Sequence, residues 1–202
     1  LRSTFIRDIT LRQLNPSETF NGDETTRPKS IPKRLIRYWH DPCDLPDDVR
    51  ACLNSWDRLV EEGFELQTFS DASAAVYIAE RYGRREREAC ARGRQPARRS
   101  DYLRMCFVLA EGGFYVDADD VLRGDGWKHI FRDGRLKVQP LCYDIPARGM
   151  LLATDIWRVD LPTEGRIFYV NNDPIAAPPG HPILHLALTR ATKKLLGDER
   201  SL

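Results

Sequence analysis

Three acidic residues close a short apolar run in "GGFYVDADD", residues 112–120. On an extended strand, successive side chains point to opposite faces. Asp117 and Asp119 would then share a face, with Cα atoms roughly 6.6 Å apart at the usual rise. Two carboxylates aimed at one space repel each other unless a cation lies between or beside them. Hard divalent ions such as Mg²⁺ or Mn²⁺ take oxygen ligands and keep positions open for phosphate oxygens. Phe114, Tyr115 and Val116 would anchor a strand, and the acids would emerge at its end, where open α/β sheets bind ligands. The alternative is an Asp-rich turn that caps the next element.

Asp101 and Arg104 lie three apart on the helix expected before this strand, so they share a helix face. They could form a structural ion pair. They could also grip sugar hydroxyls, since Asp accepts from hydroxyls and Arg donates in a planar fork. Other residues carry paired readings too. Trp39 and Tyr115 are aromatic residues on apolar strands, suited to core packing or to a ligand. Asn172 either makes a turn before Pro174 or faces a substrate. His181 either introduces a helix or binds a metal. The basic run 84–99, "RREREACARGRQPARR", reads as a solvated helix face or as a segment facing phosphate.

The elements that would position these groups alternate. "RLIRYW" (34–39) reads as a first strand, and "LPDDVRACLNSWDRLVEEGF" as a helix with Val49, Leu53, Trp56, Leu59 and Val60 at helical spacing. "FELQTF" (64–69) alternates as a strand does. Ser70 caps a helix that runs to Gly83. Pro96 can open the next helix, which buries Leu103, Cys106, Phe107 and Leu109 and stops at Gly112-Gly113. "FYVDAD" (114–119) follows as a buried strand, with weaker strands at 136–143, 149–157 and 166–172 and a helix at 182–196. This order predicts an α/β domain with a largely parallel sheet. Residues 1–30 read as an N-terminal loop or arm, and residues 31–202 as a single domain.

With 202 residues, 42% of them hydrophobic, the chain can bury a proper core. A net charge of +1 points away from nucleic acid and anionic membranes as partners. No stretch approaches the roughly 20 apolar residues of a membrane span. The first residues lack the apolar core of a signal peptide and an initiator Met, as a trimmed chain or excised domain would. Cys43, Cys52, Cys90, Cys106 and Cys142 form no C-x-x-C pair and read as reduced thiols in a cytosolic-type protein. The expected location is cytoplasmic, or a cytosol-acting domain of a larger protein.

"IPKRLIRYW", "SW" at 55–56, "RRSDYLRMCFVLAEGGFYVDADD" and "NNDPIAAPPGHP" together resemble the glycosyltransferase family 32 pattern. That family includes capsule-type and fungal mannosyltransferases and is similar to the catalytic domains of clostridial glucosylating toxins. The strongest block is S-D-x-x-R followed by G-G-x-Y-x-D-x-D. The resemblance implies a GT-A fold, a Mn²⁺ or Mg²⁺ cofactor, and retaining transfer of a hexose from a UDP- or GDP-sugar donor. The acceptor would be a hydroxyl on a glycan, a lipid-linked oligosaccharide or a protein. It implies that Trp39 lies against the nucleotide base, that Asp101 and Arg104 hold the donor sugar, and that Tyr115 helps line the donor site. Asp117 would contact ribose or sugar and reach the metal, Asp119 would bind the metal, and Asn172 would face the sugar and acceptor. The catalytic set implied is Asp101, Arg104 and Asp117. Two features depart from the pattern: Ile36 stands where many relatives carry His, and no Trp follows Trp157.

Two rival readings remain at the sequence level. "FYVDADDVL" also fits the first motif of haloacid-dehalogenase-type phosphatases, with Asp117 as nucleophile and Asp119 as general acid. That motif normally opens its domain, whereas here more than half the chain precedes it. The other rival is a catalytically degenerate nucleotide-sugar-binding module.

Overall fold

The structure is a computed structural model that describes residues 2–14, 30–151 and 160–197. The chain divides into two compact units, one made of Leu1–Arg27 with Val138–Asn172 and a larger one made of Pro28–Lys137 with Asp173–Leu202. The first helix, α1 (Arg2–Leu14), belongs to the smaller unit. Residues 1–30 were expected to be a loop or arm; residues 2–14 of that stretch are helical, with Phe5 and Ile9 exposed.

In the larger unit, β1 (Arg34–Tyr38) leads to α2 (Asp47–Ser55), a 3-10 turn (Asp57–Val60) and β2 (Glu65–Phe69). Three helices follow: α3 (Asp71–Arg81), α4 (Arg84–Ala91) and α5 (Pro96–Glu111), then β3 (Gly113–Tyr115). β1 pairs in parallel with both β2 and β3, so β1 is their common neighbour. On its other side β3 pairs antiparallel with the end of β6 (Arg166–Ala177), Tyr115 opposite Ile175. α6 (Pro182–Leu196) closes the unit. Ile31, Leu35, Trp56, Leu59, Phe64, Phe114, Val116, Trp127 and Ala176 form one buried cluster. Removal of such apolar surface from water is the dominant favourable term in folding.

The apolar spacing predicted most of the buried face of α5: Leu103, Cys106 and Phe107 are buried as expected, whereas Leu109 is only partly buried and Val108 is buried in addition. Pro96 sits in its first turn, where a missing N–H costs nothing. Gly112 and Gly113, with φ of 69° and 122°, turn the chain from α5 into β3. A Cβ on Gly112 would lie 2.7 Å from Pro179 and 2.8 Å from Pro32, and one on Gly113 would lie 2.8 Å from the Arg34 carbonyl. Only glycine satisfies both the backbone angles and the space.

In the smaller unit, β4 (Lys137–Asp144) pairs antiparallel with β5 (Gly149–Met150) and neighbours the first part of β6. Cys142 and Phe168 are buried there with Ile6, Leu151 and Leu161 packed against them. Ser3 accepts a hydrogen bond from the Phe168 amide at 2.7 Å, which ties α1 to β6. The strand expected over 149–157 is confined to β5 among the described residues, and residues 152–159 lie outside them. The described residues of 138–172 thus group with the N-terminal helix.

Candidate active site

β3 ends at Tyr115, two residues short of the first aspartate. Its last ladder contact is the Val116 amide to the Ile36 carbonyl at 3.1 Å. The next four residues form a turn closed by the Asp120 amide on the Asp117 carbonyl at 3.2 Å. Asp117 and Asp119 are therefore not alternate residues of a strand, which corrects the expectation. Ala118 points inward and is buried against Val49 and Leu53. Asp117 and Asp120 are half-buried, and Asp119 is exposed. Short polar side chains that bond to nearby backbone favour such a turn over a continued strand.

The turn is held from several directions. The Trp56 indole N–H donates to the Asp120 carbonyl at 2.9 Å, and the Ser55 hydroxyl accepts from the Leu122 amide at 2.9 Å. The "SW" pair at 55–56 thus braces the far side of the turn from the start of the 3-10 segment. From β6, the Asp173 carboxylate accepts the Asp117 amide at 2.9 Å. Asp173 and Asp120 also share a side-chain hydrogen bond.

Arg104 lies beneath the turn with its side chain only 3% exposed. Its Nη2 donates to Asp117 Oδ1 at 2.7 Å and to the Ser100 hydroxyl at 3.2 Å. The same nitrogen lies 3.3 Å from Asp101, one helical turn back, and Nη1 lies 3.9 Å from Asp173. Its guanidinium stacks 4.2 Å above the Tyr115 ring. A rigid fork with five donors suits this crowd of acceptors, which an ammonium could not span. Asp101 remains nearly half exposed on the outer face of α5. Asp101, Arg104 and Asp117 therefore form one connected group.

Tyr115 is placed differently from the expectation. It is fully buried, its hydroxyl bonded to Ser100 and donating to Asp117 Oδ1 at 3.0 Å. Burial pushes that hydroxyl well above its ordinary pKa, so it is a neutral donor. Tyr115 supports Asp117 from behind rather than lining an open pocket. Trp39, just past β1, packs partly against Val49, Leu53 and Ala118, and its indole donates to the Asp44 carbonyl at 2.8 Å. That places Trp39 beside the acidic turn. Asn172 is the last residue of the smaller unit. His181 is the N-cap of α6, its Nδ1 accepting from the Ile183 amide at 3.3 Å. Arg99 is committed to Asp71 through two bonds of 2.6 and 2.8 Å.

The electrostatics of the turn are lopsided. Burial first, and then the charges of Asp117 and Asp120, push the Asp173 carboxyl up to about 8 despite Arg104. Burial and the neighbouring Asp117 and Asp119 charges also raise Asp120. Arg104 meets three carboxyl groups, Asp101, Asp117 and Asp173, and Asp119 and Asp120 stand in the same turn, so acidic groups outnumber the one arginine and a cation would suit the site. Among the described residues, no three His, Cys, Asp or Glu side chains are grouped to hold a metal. A cation here would take few protein ligands and fill its remaining positions with phosphate or water, as Mg²⁺ commonly does. Asp119 is exposed and accepts no hydrogen bond among the described residues, and Asp117 is half-buried beside it, so these two carboxylates could take part in holding such a cation. A cavity of about 240 Å³ lies elsewhere, at the amino ends of β1 and β2 beside Arg34, Glu65 and Glu111.

Sequence reasoning missed Asp120 and Asp173 as parts of the site. Asp120 was visible as the third acid of the run. Asp173 was visible only as one letter of the "NNDPIAAPPGHP" block, with nothing to set it beside Asp117, because its partners are distant in sequence.

A mixed α/β sheet that is parallel across β2, β1 and β3, a D-x-D turn just past β3 and an Asp–Arg pair on the preceding helix are the features of a GT-A-like fold. Residues 46–130 match a family model described as a glycosyltransferase sugar-binding region containing the DXD motif. Among solved structures, the chain is similar to "PaToxG Glycosyltransferase", with a TM-score of 0.56 and 14% identity, over 98% of this chain and 74% of that one. At that identity the likeness speaks for the fold. No curated protein matches the chain. Residues 46–130 thus match a DXD-type sugar-binding region, and the fold is like that of a solved glycosyltransferase. None of its described helices is long and apolar enough to cross a membrane.

Proposed function

We propose that the protein transfers a hexose from a UDP- or GDP-linked donor to an acceptor hydroxyl on a glycan, a lipid-linked oligosaccharide or a protein, with retention of configuration and with help from Mn²⁺ or Mg²⁺. The observation that carries this reading is the Asp101–Arg104–Asp117 group, buried at Arg104 and open at Asp101, next to the exposed Asp119. Arg104 fixes the direction of the Asp117 carboxylate. Asp101 presents acceptor oxygens to donor-sugar hydroxyls. Asp117 and Asp119 would hold the metal, which when bound neutralises charge on the departing diphosphate. The same role falls in part to the Arg104 field, since fixed charges aimed at a developing charge stabilise it without reorganisation. Trp39 offers an aromatic surface near the turn for the nucleotide base, and Asn172 is assigned to the sugar and acceptor side.

The phosphatase reading fares worse on one observation. Asp117 Oδ1 accepts from both Arg104 and Tyr115, which lowers the electron density that a carboxylate nucleophile must offer. A thermal-shift screen of UDP- and GDP-sugars with and without Mn²⁺ tests the proposal. A shift that needs both nucleotide and metal is expected. No shift with any nucleotide sugar favours the degenerate-module reading, and turnover of an aryl phosphate favours the phosphatase.

A further inference from the structure

Asp173 lies outside the D-x-D motif and has no role in the transfer as described, yet it touches both ends of the acidic turn. Its side chain is 14% exposed. Its Oδ1 accepts the Asp117 amide at 2.9 Å and stands 3.9 Å from Nη1 of Arg104. Its carboxyl also hydrogen-bonds to the Asp120 side chain. One group on β6 thus grips the first residue of the turn by its backbone, the last by its side chain, and borders the arginine beneath.

We propose that Asp173 is a positioning residue that fixes the backbone of the D-x-D turn and so sets where Asp119 presents its carboxylate, while Arg104 and Tyr115 direct the carboxylate of Asp117. The physical reason is the turn's own weakness. Its internal closure is a single backbone bond at 3.2 Å. Trp56 and Ser55 brace only its far end, at Asp120 and Leu122. The near end, at the Asp117 amide, is tied to Asp173. Without that acceptor the amide would be a half-buried donor with no protein partner, and the Asp117 peptide could rotate. Sites that work by fixed geometry depend on such supporting bonds. The functional consequence rests on the transfer reading; the structural one does not.

Two variants separate the roles. Asp173→Asn keeps an oxygen for the Asp117 amide and a donor for Asp120. Asp173→Ala keeps neither. The first measurement is amide hydrogen exchange over residues 117–122 in the protein without ligand. Asp173→Ala should speed exchange there about threefold to tenfold, the size of one lost hydrogen bond, while α3 and β2 stay unchanged. Asp173→Asn should restore protection. The second is Mn²⁺-dependent binding of UDP and GDP, which Asp173→Ala should weaken and Asp173→Asn should largely recover. Unchanged exchange in Asp173→Ala, exchange rising across the whole protein, or an Asp173→Asn as exposed as Asp173→Ala each overturns the proposal. If the wild-type protein binds neither nucleotide, the transfer reading fails, and the exchange result still decides the role of Asp173.

Discussion

Arg104 shows how one side chain can serve structure and chemistry together. Buried, it neutralises part of the charge of Asp117, Asp101 and Asp173, and it could not be withdrawn without leaving them opposed. Arg104→Lys retains the charge and loses the fork. Turnover should fall roughly tenfold or more, as expected when a charge-assisted contact and the reach of the planar fork to several acceptors are lost. Donor kinetics indistinguishable from wild type would remove Arg104 from the site. Asp119 is the opposite case, exposed and without a hydrogen bond among the described residues. Asp119→Ala should abolish turnover and leave the melting temperature unchanged, and calorimetry alongside a transfer assay checks both. The Asp101–Arg104 spacing was legible because i and i+3 share a helix face. The burial of Tyr115 was not, because an aromatic on an apolar strand suits a pocket wall and a core equally.

At the scale of elements, the helix–glycine–strand passage into the turn was readable from "EGGFYV" alone, since two glycines after a helical stripe mark a stop. Gly112→Ala should lower the melting temperature markedly, because its Cβ would sit 2.7 Å from Pro179 at a φ of 69°. The strand period then misled beyond Tyr115: alternation is the same for a strand of three residues and one of six, and only the turn's own hydrogen bonds decide where it stops. α1 was missed because its apolar residues do not make a buried stripe. α6 allows a pH test. His181 caps it as an acceptor, and burial depresses its pKa. A base depressed in the folded state contributes stability that is present above its unfolded pKa, about 6.5, and is lost as pH falls. The wild-type melting temperature should therefore drop between about pH 7 and 5, and His181→Asn, which caps without titrating in that range, should show a smaller drop.

Over the molecule as a whole, alternating elements made the α/β class legible, because each change of hydrophobic period marks a change of element. The division at Val138 and Asp173 was not legible, since a crossing within β6 leaves no compositional mark. The Asp71–Arg99–Tyr38 group ties the starts of α3 and α5 to the end of β1. Burial alone would raise Asp71, but the Arg99 and Tyr38 hydrogen bonds outweigh it and hold its carboxyl below the usual range. A carboxyl depressed in the folded state adds stability above its unfolded pKa, about 3.9, which is lost as pH falls through the folded value. Asp71→Asn should thus flatten the acid limb of the unfolding curve below about pH 4, measured as melting temperature against pH.

The shared position of β1 has a practical consequence for anyone wishing to carve out the recognisable portion. The stretch from 46 to 130 begins after β1 and ends before Asp173. Expressed alone, it would hold β2 and β3 with no strand to join them, and a D-x-D loop stripped of its anchor. The segment by which such sequences are recognised is therefore not an autonomous module, and grafting it into another scaffold would transfer the motif without its shape.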